Sequence, residues 1–260
     1  MDGEEKLYGR IRELARDMGI TDIGTASADL WDTDPLVSSR IDSEGRPSAI
    51  MRGARSVIVM GIPVPRAIVD TAPSVYYSSA YSNINAMLDA AAGRIAMELE
   101  ILGHPSAYIP RDGYQGLAGL RRAPSAFFSH RHAAYLAGLG TFGMNNMLLT
   151  ETRGPRIRFV SVLTCAELPS GGPMEKDLCT GCGRCVRACP AGALSKGRYP
   201  ESITDKGLCT ERSAELAAAG ISPCGLCIRA CPVGEDADGP VPSPEATAMI
   251  RSYVRGDRAR

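Results

Sequence analysis

The first 164 residues of this 260-residue chain contain no cysteine. The nine cysteines are therefore not spread as the disulfide framework of a short secreted protein would spread them. An excess of charge of one sign is also missing, since 29 basic residues stand against 29 acidic ones. Proteins that live on nucleic-acid phosphates usually carry a basic surplus, so the balance argues against that class. Long apolar runs are absent too. The longest, Val57 to Pro65, is far too short to span a bilayer. The charged opening Met1-Asp-Gly-Glu-Glu-Lys leads into an amphipathic pattern rather than an apolar signal core, so no signal peptide is expected. A soluble, cytoplasmic protein with no membrane partner is the expectation.

What is present is an ordinary globular composition, 44% hydrophobic and 22% charged, with room for one medium domain and a small appended one. Leu7, Ile11, Leu14, Ala15 and Met18 recur at helical spacing and predict an amphipathic helix over about 4–18. Thr21 to Ala26 reads as a short strand, and Ser56 to Ile62 as a stronger, β-branched one ended by prolines. Asn83 to Leu102 is the longest helical stretch, closed by Gly103. Pro105 to Pro110 predicts a strand and His132 to Leu136 a short helix. Met147-Leu-Leu-Thr and Ile157 to Thr164 look like paired strands around the turn Thr152-Arg-Gly-Pro155. Mixed elements up to about residue 168 imply an α/β or α+β sandwich. Pro169-Ser-Gly-Gly-Pro173 reads as a linker to a second domain over 169–240, and 241–260 as a terminal helix with a basic, solvated tail.

Eight cysteines fall between Cys179 and Cys231. Cys179-Thr-Gly-Cys182-Gly-Arg-Cys185-Val-Arg-Ala-Cys189-Pro190 is the C-x2-C-x2-C-x3-C-P run of bacterial ferredoxins. Three closely spaced thiolates wrap one [4Fe–4S] cube, and the fourth, on a following helix, ligates the other. The run is echoed: Cys182 to Gly192 and Cys224 to Gly234 share eight of eleven positions, so a supersecondary unit is repeated. In the second copy Ile221 stands where another cysteine would be, and Cys209 is the candidate in the intervening stretch. The assignment is Cys179, Cys182, Cys185 and Cys231 to one cluster, and Cys189, Cys209, Cys224 and Cys227 to the other. A pair of zinc sites would also use C-x2-C pairs, but not a third cysteine two residues on, followed by C-P. Cys165, outside these motifs, reads as a buried inert thiol.

A bare dicluster ferredoxin needs far fewer residues than this chain has, so a second redox site is expected. Four features carry a resemblance to epoxyqueuosine reductases and, more distantly, reductive dehalogenases. They are the opening helix with Gly19-Ile-Thr-Asp-Ile-Gly-Thr-Ala26, the strand Ala54-Arg-Ser-Val-Ile-Val59, Ala137-Gly-Leu-Gly-Thr-Phe-Gly-Met-Asn-Asn-Met-Leu148, and the cysteine module with its displaced Cys209. The resemblance spans about residues 5–235. It implies a nitroreductase-like sandwich that binds cobalamin, followed by a bacterial dicluster ferredoxin-like domain that feeds electrons to the cobalt. It also implies a low-potential donor of ferredoxin or flavodoxin type and a small-molecule substrate. Two departures stand out. Aligned on Ala137, Pro124 and His130 occupy the places of the family's acidic residue and glutamate. The long helical-repeat region that helps grip tRNA is not in the sequence either, so tRNA is not expected as a partner.

Ser129-His-Arg-His132 holds two of the three histidines. His130 and His132 are candidate catalytic proton donors near neutral pH. The alternative is a helix start with Ser129 as cap and both rings satisfied internally. Gly138 and Gly140 permit close backbone approach to a bulky ligand or form a plain tight turn. Asn145 and Asn146 are candidates for a corrin amide or a turn cap; Arg156 and Arg158 for cofactor contact or a solvated face. Tyr76, Tyr77 and Tyr81, ahead of the long helix, line a pocket or simply pack. The leading expectation is a reductase that passes electrons through two [4Fe–4S] clusters to a cobalamin-type cofactor. The rivals are a flavin (FMN) reductase and a non-catalytic electron carrier or corrinoid-reducing partner protein.

Overall fold

The computed structural model describes residues 3–111, 116–123, 126–235 and 242–255. Its six strands are β1 (Asp22–Ser27), β2 (Ser56–Pro63), β3 (Ser106–Ile109), β4 (Thr141–Phe142), β5 (Leu148–Leu149) and β6 (Ile157–Thr164). Four of them form one sheet in the order β1-β2-β6-β3, and every neighbouring pair is antiparallel. Of the two architectures expected for this part, the α+β form is the one realised.

Both faces of this sheet are covered, which is why β2 and β6 read as nearly continuous apolar runs. Successive side chains point to opposite faces. Ile58, Met60, Val160 and Val162 pack under the helices Gly3–Asp17 and Val75–Ile101, against Ile11, Ala15, Leu88, Ile95 and Leu99. Val57, Val59, Phe159 and Leu163 face the other way, onto Trp31, Val37, Phe128 and the helix His130–Leu136. Truncating one of these buried leucines or isoleucines to alanine costs about 2–5 kcal/mol.

Two expectations are corrected. The long helix starts at Val75, not Asn83, because the Ser74 side chain accepts a hydrogen bond from the Tyr77 N–H and caps it. Tyr76, Tyr77 and Tyr81 therefore stand on the helix rather than ahead of it. β5 pairs with β4, and the partners of β6 are β2 and β3, so the strands flanking Thr152–Pro155 do not form a hairpin.

The cysteine-rich part holds the helix Lys206–Ala218 and two one-turn helices, Arg184–Arg187 and Leu226–Arg229, one in each copy of the repeat. The stretch read as a linker is laid along the sheet, with the Gly171 N–H donating to the Thr25 carbonyl. Pro244–Arg255 is the last helix.

Candidate electron-transfer site

Cys179, Cys182, Cys185 and Cys231 line one pocket together with Met144 and Val233. Cys185 is buried at its base and Cys182 is exposed at its rim. The other four thiols lie beside this set, with Cys189 and Cys227 packed next to Cys185. Cys209 lies in the electrostatic field of Cys224 and Cys189, and Cys227 in that of Cys209 and Cys224. Each group thus mixes ligands from both copies of the repeat, as crossed ligation of two cubes requires.

Burial pushes the Cys227 thiol up to about 12 and the Cys231 thiol up to about 11. Cys182 moves the other way, held down chiefly by the backbone N–H of Arg184, with smaller help from the Arg184 and Arg187 charges. The buried thiols are therefore protonated at neutral pH until a metal displaces the proton. Eight thiols in two sets of four fit two [4Fe–4S] cubes as a donor set. Among the described residues, no three Cys, His, Asp or Glu side chains converge at the spacing of a single ion. The C-x2-C-x2-C-x3-C-P order of these thiols is that of a ferredoxin cube rather than of a zinc site.

The stretch between Gly138 and Arg158 forms the seam between the sheet and this cysteine module. Arg156 is fully buried, and its guanidinium donates to the carbonyls of Cys231 (3.2 Å) and Val233 (2.8 Å). The Asn145 amide donates to the Cys227 carbonyl (3.4 Å), and its oxygen accepts from the Met147 N–H (3.2 Å). Thr141 Oγ1 accepts from the Leu178 N–H at 3.0 Å. Arg158 stacks over the Tyr81 ring at 3.8 Å and donates to Asn85. A Cβ added at Gly138, where φ is +72°, would lie 2.6 Å from the Gly172 carbonyl oxygen, and one at Gly140 would collide with the Leu149 carbonyl. These are corrections to the cofactor-contact reading. Gly138 and Gly140 admit the chain's own backbone, Asn145 and Arg156 tie down the cluster loops, and Arg158 is engaged by the long helix.

The histidines are corrected in the same way. His130 is buried; its Nε2–H donates to the Pro110 carbonyl (3.1 Å), so its Nδ1 accepts from Ser161 Oγ (2.9 Å). His132 is buried between Ser129 Oγ (2.6 Å) and the Tyr199 hydroxyl (2.8 Å). Burial holds His130 down to about 4 and His132 down to about 3. Two neutral imidazoles with both nitrogens engaged are not poised as proton donors at neutral pH. Ser129 caps their helix by accepting from the His132 N–H, which is the second of the two readings. Pro124 lies outside the described residues, and Cys165 is half-buried rather than buried.

Sequence reasoning passed over Arg131 and read Asn146, like Asn145, as a corrin contact or a turn cap; the structure gives Asn146 the second role. Arg131, between the two histidines, donates to the Asn146 carbonyl. Asn146 sits at a left-handed φ of +54°, its amide donating to the Ser202 carbonyl while its oxygen accepts from the Thr204 N–H. Asparagine tolerates that conformation better than other side chains.

Residues 174–195 and 224–234 each match a 4Fe-4S binding domain family. The tetrachloroethene reductive dehalogenase of Dehalobacter restrictus is 32% identical over 152 residues, covering 57% of this chain and 25% of that protein. The epoxyqueuosine reductase of Cyclobacterium marinum is 37% identical over 85 residues, 33% of this chain and 26% of that protein. The chain thus spans about a quarter of the length of these curated relatives. Among solved structures, a catabolic reductive dehalogenase superposes with a TM-score of 0.65 at 21% identity, over 94% of this chain and 33% of that one. The epoxyqueuosine reductase of Streptococcus thermophilus gives 0.59 at 16% identity, over 86% and 65%. At such identities the structural likeness establishes the fold alone. The chain is thus similar in sequence to reductive dehalogenases and epoxyqueuosine reductases, shares their fold, and carries two 4Fe-4S binding matches.

Proposed function

We propose that this chain is an iron–sulfur reductase that takes single electrons from a low-potential donor protein. Cys179, Cys182, Cys185 and Cys231 hold one [4Fe–4S] cluster, and Cys189, Cys209, Cys224 and Cys227 hold the other. The observation that carries this reading is the arrangement of the thiols: one set lines a single pocket and reaches the surface at Cys182, while the Cys224–Cys227 loop of the other is turned toward the sheet part, with Gly225 against the Tyr77 ring, and Cys209 is the exposed member of that set. With both clusters bound, the first would accept electrons near Cys182 and the second would supply them on the side of the sheet. The protein's own groups hold the loops in place. Arg156 fixes the Cys231 loop, Asn145 the Cys227 loop, and Thr141 the entry to Cys179.

The acceptor beyond the second cluster is, on this reading, a corrinoid bound by a nitroreductase-like sandwich. Support comes from the dehalogenase relatives, one of whose solved structures concerns B12-dependent dehalogenation. The residues expected to touch a corrin do not fit that role, since Gly138, Gly140, Asn145, Arg156 and Arg158 are all engaged by the chain itself. No step through the corrinoid follows from them. That same observation favours a second reading, in which the chain hands its electrons to a separate protein. Anaerobic reconstitution with iron and sulfide, incubation with hydroxocobalamin or FMN, and gel filtration distinguish these. A corrin spectrum that co-elutes and is bleached through the clusters supports the first reading. Clusters that reduce reversibly with no retained chromophore support the carrier. Stoichiometric zinc without visible iron–sulfur absorption would end both.

A further inference from the structure

We infer that the donor docks on the exposed loop Thr180-Gly181-Cys182 and its flanking cations, and that it is a one-electron carrier protein with an acidic surface; this rests on the two-cluster reading above. From Leu178 to Pro200 the chain holds Arg184, Arg187, Lys196 and Arg198 and no acidic residue, although the whole chain is balanced in charge. All four cations are exposed, as is Cys182 itself. Arg198 donates to the Cys179 carbonyl at 3.3 Å and is paired with Asp177. Arg187 Nη1 lies against Gly183, 3.2 Å from where a Cβ there would stand. Among the described residues, neither Arg184 nor Arg187 forms an ion pair.

The second half of the module also exposes a thiol, Cys209, but without a basic rim of this kind. Its helix Lys206–Ala218 interleaves Glu211 and Glu215 with Arg212, and Arg212 pairs with Glu215 at 2.7 Å. Its cysteine loop is turned inward, with Gly225 on Tyr77 and Arg229 donating to the Ala72 carbonyl. Electron transfer weakens steeply with distance, so a donor must approach a cluster whose ligand reaches the surface. With no net charge to attract a partner from afar, orientation falls to a local patch acting over a Debye length of about 8–10 Å. A basic rim around the exposed ligand selects an acidic face and steers it on. Each encounter moves one electron: the donor is oxidised by one, the cluster reduced by one, and no bond is made or broken.

The test uses the full chain with both clusters, in anaerobic stopped-flow that follows cluster bleaching. The reductants are a pre-reduced acidic [4Fe–4S] ferredoxin and, separately, reduced methyl viologen. The double variant Arg184→Glu/Arg187→Glu should slow reduction by ferredoxin about tenfold or more at low salt and abolish most of its salt dependence. The viologen rate should not change, and Arg184→Lys/Arg187→Lys should keep the wild-type rate. If the double variant binds less iron, Lys196→Glu carries the same comparison away from the ligand loop. An unchanged ferredoxin rate and salt dependence overturns the docking assignment, as does equal slowing with both reductants at full iron content. Wild-type protein that neither reductant bleaches would remove the two-cluster reading instead.

Discussion

His130 and His132 show how a residue's chemistry is set by what encloses it. Each is a base whose folded pKa lies below the ordinary 6.5, because burial disfavours the imidazolium. As pH falls the unfolded chain takes up the protons first. The stability these rings contribute is therefore full above about pH 6.5 and is lost as pH falls toward about 4 for His130 and about 3 for His132, with a slope of up to about 1.4 kcal/mol per pH unit each. Urea midpoints of the anaerobic holoprotein at pH 7 and pH 5 should drop more for the wild type than for His130→Gln/His132→Gln. Equal drops would mean the rings do not titrate in this window. A histidine's availability depends on partners such as Ser161 and Tyr199, which lie 31 and 67 residues away in sequence.

The element that completes the inner group of thiols is the helix Lys206–Ala218, started by Asp205, whose carboxylate accepts from the Leu208 N–H at 2.9 Å. Its apolar signal is slight, with only Thr210 and Leu216 buried, so no helical stripe marked it in the sequence. Its cysteine was legible all the same, because the repeat left Ile221 where a ligand was due. Cys209→Ser should take anaerobically reconstituted protein from about eight iron per chain to about four, while Cys165→Ser keeps about eight. Iron and sulfide analysis with electron paramagnetic resonance checks both. A cluster lost on substituting Cys165 and kept on substituting Cys209 would reverse the assignment. Cys165 closes β6, where its N–H donates to the Pro105 carbonyl, apart from the other thiols. The first turns of the long helix were hidden for a related reason. Tyr76-Tyr77-Ser78-Ser79 has weak helix propensity, and the Ser74 cap together with burial of Tyr77 outweighs it.

In the whole molecule, the sheet and the cysteine module are joined by buried polar bonds from Thr141, Asn145, Asn146 and Arg156 to the module's backbone. A buried carbonyl left without its donor costs about 1–3 kcal/mol, so disorder in the cluster loops is felt by the sheet. The single tryptophan, Trp31, is fully buried beneath the far face of that sheet and reports on it. Removing iron by anaerobic chelation should lower the midpoint of the Trp31 fluorescence melt by several degrees, in step with the circular dichroism transition. An unchanged Trp31 transition would mean that the two parts fold independently. The two 4Fe-4S binding stretches, the central strands and the likeness to known reductases were all readable in the sequence. Ligand spacing along a short loop is a covalent property, and two-sided burial leaves an apolar run. Only the tertiary structure decided what the seam residues face. Gly138, Gly140, Asn145 and Arg156 suit a ligand or a neighbouring backbone equally well, and the choice lay with segments such as Gly172 and Cys231–Val233 that chain folding brings against them.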